Sequence, residues 1–112
     1  MLKEDSLYLD HIVQSLERIL SYCSGVDEAT FTKDFMMQDA CIRQLEIIGE
    51  ATKKLSQQFK TRYPNIPWKD MAGMRDKLIH NYFDVEIGIV WKTIETDVVF
   101  LLKEISVLQK EQ

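Results

Sequence analysis

Residues 84–110 read DVEIGIVWKTIETDVVFLLKEISVLQK, and their periodicity decides the fold class. Ile87, Val90, Trp91, Ile94, Val98, Leu101, Leu102, Ile105 and Leu108 return at three- and four-residue steps. That is the stripe of a helix buried along one face. Asp84 stands where an N-cap carboxylate would accept the first free backbone N–H groups, so a helix is predicted from about Asp84 to about Lys110. No strand-like alternation of useful length occurs anywhere in the chain.

Working back from this segment, the same pattern recurs. Leu9, Ile12, Val13, Leu16, Ile19, Leu20 and Cys23 mark a first helix from about Asp5 to Cys23. Ser24-Gly25 stops it, because glycine tolerates the left-handed conformation that closes many helices. A second helix is predicted from Thr32, taken as its N-cap, to about Phe59 or Tyr63. Its apolar positions are Phe35, Cys41, Ile42, Leu45, Ile48, Thr52, Leu55 and Phe59, and at roughly 27 residues it would span ~40 Å. Tyr63-Pro64-Asn65-Ile66-Pro67-Trp68 breaks the chain, since proline disfavours helix at the residue before it and suits the first turn of the next. A third helix, from about Pro67 to Ile79, would carry Trp68, Met71, Met74 and Leu78 inward. The methionines and Trp68 read as core. The expectation is an all-α fold, a four- to five-helix up-and-down bundle, with residues 1–112 as a single domain.

Composition narrows the function classes. The 112 residues are 46% hydrophobic and 29% charged, with a formal net charge of −4. A general nucleic-acid coat carries a basic excess, so any polyanion site here should be small or built from more than one subunit. Cys23 and Cys41 lack metal-ligand spacing and fit small buried hydrophobes. With two histidines far apart and no CxxC or HExxH, neither a metal nor another cofactor is expected. The N-terminal residues lack a signal-peptide apolar stretch, and no apolar run approaches a membrane span. The expectation is a soluble cytoplasmic protein without a membrane partner.

Catalytic residue types crowd into one place only, Met74-Arg75-Asp76-Lys77-Leu78-Ile79-His80-Asn81-Tyr82. Arg75 can grip a phosphate in a fork of donors, and His80 can move a proton near neutral pH. On an ideal helix their five-residue step turns them ~140° apart. They could share a phosphate only if the helix loosens after Ile79, with Asn81 as the place for it, or if the two come from different subunits. Asp76 lies four residues before His80 and could fix its imidazole tautomer. Tyr82 alone reads as a half-buried packing residue. Asp39, Arg43, Glu46 and Glu50 form a polar line on the second helix, either a solvated ion-paired face or a support for the site Arg or His.

Arg75 to Tyr82 resembles the Arg-x4-His-x-Tyr signature of HEPN-domain toxins of the HepT type, including the polar residue directly after the arginine. Ile47-Ile48-Gly49-Glu50-Ala51, Ile66-Pro67-Trp68 and Val90-Trp91 resemble that family's flanking features in the same order, so the likeness spans nearly the whole chain. The resemblance implies a HEPN bundle that forms a homodimer and cuts RNA without a metal. It implies that Arg75 and His80 are the ribonuclease residues, at a composite cleft between subunits. It also implies a toxin–antitoxin pair in which a small MNT-type nucleotidyltransferase attaches AMP to Tyr82. Asp76 and Asn81 would support the site, Asn81 by donating to phosphate or by capping the chain. DNA is not an expected substrate. The alternative is a catalytically inactive HEPN adaptor that only binds a nucleotidyltransferase.

Overall fold

The computed structural model describes residues 3–80 and 86–111, with side chains for all of these except 77–80. Helix α1 spans Lys3–Tyr22, α2 Glu28–Lys33, α3 Phe35–Lys54, α4 Gln57–Arg62 and α5 Trp68–His80. The last rod is continuous but not uniform: α6 (Ile87–Lys92) runs into a π-helical segment (Thr93–Val98) and then α7 (Val99–Lys110). Among the described residues there is no strand, and the all-α bundle read from the stripes is what forms.

The predicted stripes become core, apart from Phe35 and from Leu78, whose side chain lies outside those described. On α1, Leu9, Ile12, Val13, Leu16 and Ile19 are buried, and on the last rod so are Val90, Trp91, Ile94, Val98, Leu101, Ile105 and Leu108. Helix α3 packs against α1 on one side and α5 on the other, while α1 also receives the π segment and α7. Gly25 closes the turn after α1 at φ +72°, as its position predicted. Phe31 and Trp91 meet at 5.1 Å between ring centroids, seating α2 on the start of the last rod. Phe59, Tyr63 and Trp68 form a second aromatic group, with Trp68 Nε1 donating to the Tyr63 carbonyl at 3.0 Å. This group fixes the break through the two prolines.

The predicted long second helix is corrected to three pieces. Thr32 is not its N-cap; it lies inside α2, its hydroxyl donating to the Glu28 carbonyl at 2.8 Å. The caps are Asp27, which accepts from Thr30 N, and Asp34, which accepts from Met37 N at 2.9 Å with an extended backbone. A second break falls at Leu55, also extended, after which Ser56 caps α4 by accepting from Phe59 N at 3.1 Å. Asp5, 2% exposed, accepts from both Ser56 N and Ser56 Oγ at 2.7 Å, so the first turn of α1 locks this break in place. Phe35, expected inward, is 74% exposed beside a still more exposed Met36, because the Asp34 cap starts a new helix there. At the last rod the cap position is Glu86 rather than Asp84, which lies outside the described residues.

Within the π segment, i→i+5 pairing accommodates one extra residue per turn. Thr93 and Thr96 lie within this segment, each donating its hydroxyl to the carbonyl four residues earlier, at 2.9 and 2.8 Å. No helix among the described residues is long and apolar enough to cross a membrane.

Candidate active site

The site is built where α3 crosses α5. A Cβ placed on Gly49 would overlap the Arg75 Cβ and lie 3.0 Å from the Arg75 Cα. Only a glycine lets the two helices come this close, and the next residue, Glu50, then reaches the arginine. Glu50 Oε2 lies 3.0 Å from Arg75 Nε, and Asp76 Oδ1 lies 3.1 Å from Arg75 Nη1. Lys53, one turn beyond Glu50 on α3, bonds the same Asp76 oxygen.

This arrangement turns a flexible side chain into a fixed one. The Arg75 side chain is 27% exposed, held on two sides yet reachable. Two of a guanidinium's five N–H donors are engaged, which leaves donors for a phosphate. Lys53, and then Arg75, hold the Asp76 carboxyl below its ordinary pKa, so it stays anionic throughout the neutral range. The four charged groups, Lys53 and Arg75 against Glu50 and Asp76, sum to zero. Solvent screens such half-exposed pairs, so they add little to stability and their role here is orientation.

Among the sequence-predicted residues, Arg75 and Asp76 come together directly. His80 is the last residue of α5, so the backbone stays helical from Arg75 through His80. The place expected for a loosening, Asn81, lies outside the described residues. The Asp76–His80 pairing involves a side chain outside those described, and Asn81 and Tyr82 lie outside the described residues. Of the polar line on α3, Glu50 takes the supporting role, while Asp39 and Arg43 face solvent. Lys53 and the close approach at Gly49 were missed from sequence. The signal available was the spacing of Glu46, Glu50 and Lys53, which puts all three on one face of α3.

Arg75 also borders a groove of about 420 Å³ between α1 and α3, with Tyr8 and His11 on one wall and Arg43, Glu46 and Lys54 on the other. Among the described residues, no three of His, Cys, Asp and Glu converge as a metal-binding set.

Comparison with known proteins bears on this geometry. The family described as "Ribonuclease HepT-like" matches residues 12–108, a span that encloses α3, the Gly49–Arg75 crossing and the whole 75–82 segment. The chain belongs to the HepT-like ribonuclease family. A protein of Caldanaerobacter subterraneus subsp. tengcongensis named "Putative RNase TTE0752" is 44% identical over 106 residues, covering 94% of this chain and 95% of that one. One from Thermococcus cleftensis named "Probable ribonuclease HepT" is 43% identical over 103 residues, 92% of this chain and 94% of that one. No solved structure matches the chain. A HepT-like chain is a HEPN domain, and membership places this one in the ribonuclease class of enzymes.

Proposed function

We propose that this HepT-like protein is a metal-independent endoribonuclease toxin whose working site is shared between two copies of the chain. The observation that carries the reading is Arg75, clamped by Glu50 and Asp76 with donors to spare, on a helix that runs unbroken to His80. Arg75 binds the scissile phosphate and offsets the charge that grows on its equatorial oxygens. One His80 takes the proton of the ribose 2′-OH as that oxygen attacks phosphorus. The P–O5′ bond breaks, and a second His80, from the other subunit, gives a proton to the departing 5′-oxygen. The products are a 2′,3′-cyclic phosphate and a 5′-hydroxyl. Asp76 and Asn81 support this chemistry.

The two-copy form follows from the helical spacing, since a five-residue step places two positions ~140° apart around an ideal helix. Ile89, Val99 and Phe100, each about half exposed or more on the last rod, supply apolar area for the contact. Within this reading, an MNT-type nucleotidyltransferase transfers AMP from ATP to the Tyr82 hydroxyl with release of pyrophosphate. The added bulk and negative charge two residues from His80 exclude the RNA phosphate.

The test is induced expression and in vitro RNA cleavage by wild type, Arg75→Ala and His80→Ala, each checked for folding. Growth arrest and cleavage by wild type alone, undiminished by excess EDTA, are expected. A folded His80→Ala protein that cuts as fast as wild type would remove the mechanism. A wild type that never cuts RNA yet binds the nucleotidyltransferase would make the chain an adaptor instead. For Tyr82, intact mass after incubation with partner and ATP should rise by AMP and stay unchanged in Tyr82→Phe.

A further inference from the structure

The charges that fix Arg75 cancel one another, so Arg75 by itself is a poor attractor of a polyanion at a distance. The groove beside it has what the cluster lacks. Arg43 and Lys54 stand on the same face of α3, ~16 Å apart along the axis, and Glu50 with its bound Arg75 falls between them. Neither makes an ion pair among the described residues. Counting the groove's fixed charges, Arg43, Lys54 and Arg75 outweigh Glu46 and Glu50 by one, in a chain whose net charge is −4.

The opposite wall carries two aromatic rings from successive turns of α1. Tyr8 and His11 meet edge to face, with centroids 6.3 Å apart and planes at 84°. Lys54 Nζ lies 5.9 Å from the Tyr8 centroid, joining the two walls. Perpendicular rings form a corner in which a flat base can stack on one ring and meet the edge of the other. A cationic track beside an aromatic corner is the chemistry that holds unpaired nucleotides, whose phosphates and base faces are both exposed. Stacked duplex offers no free base face to such a corner. Tyr8 and His11 also precede the span matched by the family, which begins at residue 12, so this wall is not part of what that match describes.

We infer that the α1–α3 groove binds single-stranded RNA next to the scissile phosphate, with Arg43 and Lys54 on flanking phosphates and the Tyr8–His11 corner holding a base. These are positioning residues, and the inference rests on the ribonuclease reading only for what the bound strand is for. The experiment uses the full chain and a fluorescently labelled, fully 2′-O-methylated oligonucleotide, which cannot be cut because its 2′-oxygens carry no proton. Anisotropy titrations over a series of salt concentrations give Kd and its salt slope for wild type, Arg43→Ala, Lys54→Ala, the double variant, His11→Ala and His11→Phe. Lys33→Ala, outside the groove, is the control, and thermal melts check folding.

Each alanine variant should weaken binding about fivefold, and the double variant more than tenfold, with the salt slope falling by about one for each lost cation. His11→Phe should bind within about twofold of wild type, because it keeps a stacking face. A merely structural role for Arg43 or Lys54 leaves the salt slope unmoved. The inference is overturned if the folded double variant keeps the wild-type Kd and slope. It is equally overturned if wild type fails to bind the oligonucleotide at low salt, which leaves the groove for a protein partner. Cleavage of unmodified RNA, measured in parallel, separates the two ideas. Groove-dependent binding without cleavage removes the ribonuclease mechanism alone, whereas cleavage indifferent to the groove variants removes this inference alone.

Discussion

At the scale of single residues, Glu50 and Cys41 make opposite demands on water. Glu50 works half-exposed, holding Arg75 through Nε without burying it. Replacing it by glutamine keeps the shape and loses the charge-assisted bond, so Arg75 should swing more freely. The expected result for Glu50→Gln is a fall in kcat on RNA of about tenfold with little change in Tm, since the pair itself is worth ~0–1 kcal/mol. Unchanged kcat in steady-state assays would show that Arg75 is positioned by Asp76 alone. Cys41 is fully buried and its thiol is pushed up to about 12, chiefly by burial and then by Cys23, whose sulfur lies 3.6 Å away. Its folded pKa is raised, so its contribution to stability is complete below the ordinary thiol range and drains away as pH climbs from about 9 towards 12. At pH 8 Cys41 should resist iodoacetamide in the native protein and react only after unfolding. Mass spectrometry of alkylated peptides reads this directly, and rapid native labelling of Cys41 would contradict it.

At the scale of elements, the stripes and the breaks at Gly25 and Pro64–Pro67 were legible, while the joints at Asp34 and Leu55-Ser56 were not. Apolar periodicity passed through Leu55-Ser56 unbroken, because a connector of two residues keeps the buried face nearly in phase. Leu55 and Phe59 remain buried on either side of the second break, so nothing in the stripe betrays it. The group that fixes the joint, Asp5, is fifty-one residues distant from Ser56, beyond the reach of any local pattern. The site was legible to a similar depth. Arg75 and Asp76 announce themselves by residue type, whereas Lys53 acquires its role only because α3 and α5 touch. That contact depends on Gly49, and Gly49→Ala tests it. An added methyl must push Arg75 and its helix away, at about 1–3 kcal/mol of overpacking. A lowered Tm together with lost cleavage is expected. A Gly49→Ala protein with wild-type stability and rate would mean that the crossing tolerates separation.

At the scale of the whole molecule, the proposed division of the active site between two chains would make assembly a condition of catalysis. Phe100 is 49% exposed and also lines an apolar cleft of about 240 Å³ between α5 and the last rod, together with Met71, Met74 and Leu101. An aromatic anchor beside a cleft on the motif-bearing side is where a second copy gains most from docking. Phe100→Asp should sediment as a folded monomer and lose at least about tenfold in cleavage rate at dilute concentration. Sedimentation velocity checks the first outcome, and a Phe100→Asp protein that remains dimeric and active would move the interface elsewhere. The acidic net charge fits a protein that meets RNA only along a local track.

The wide turn at Thr93–Val98 acts as a phase shifter. Upstream of it the last rod answers to α2, where Trp91 meets Phe31; downstream it answers to α1. A rod of uniform 3.6-residue pitch carries a single rotational setting from end to end, and two partners at different azimuths could not both be satisfied by it. One surplus residue in the turn gives each half its own setting. The two ends can therefore accept sequence change independently, whereas a one-residue deletion there would turn one end out of register with its partner.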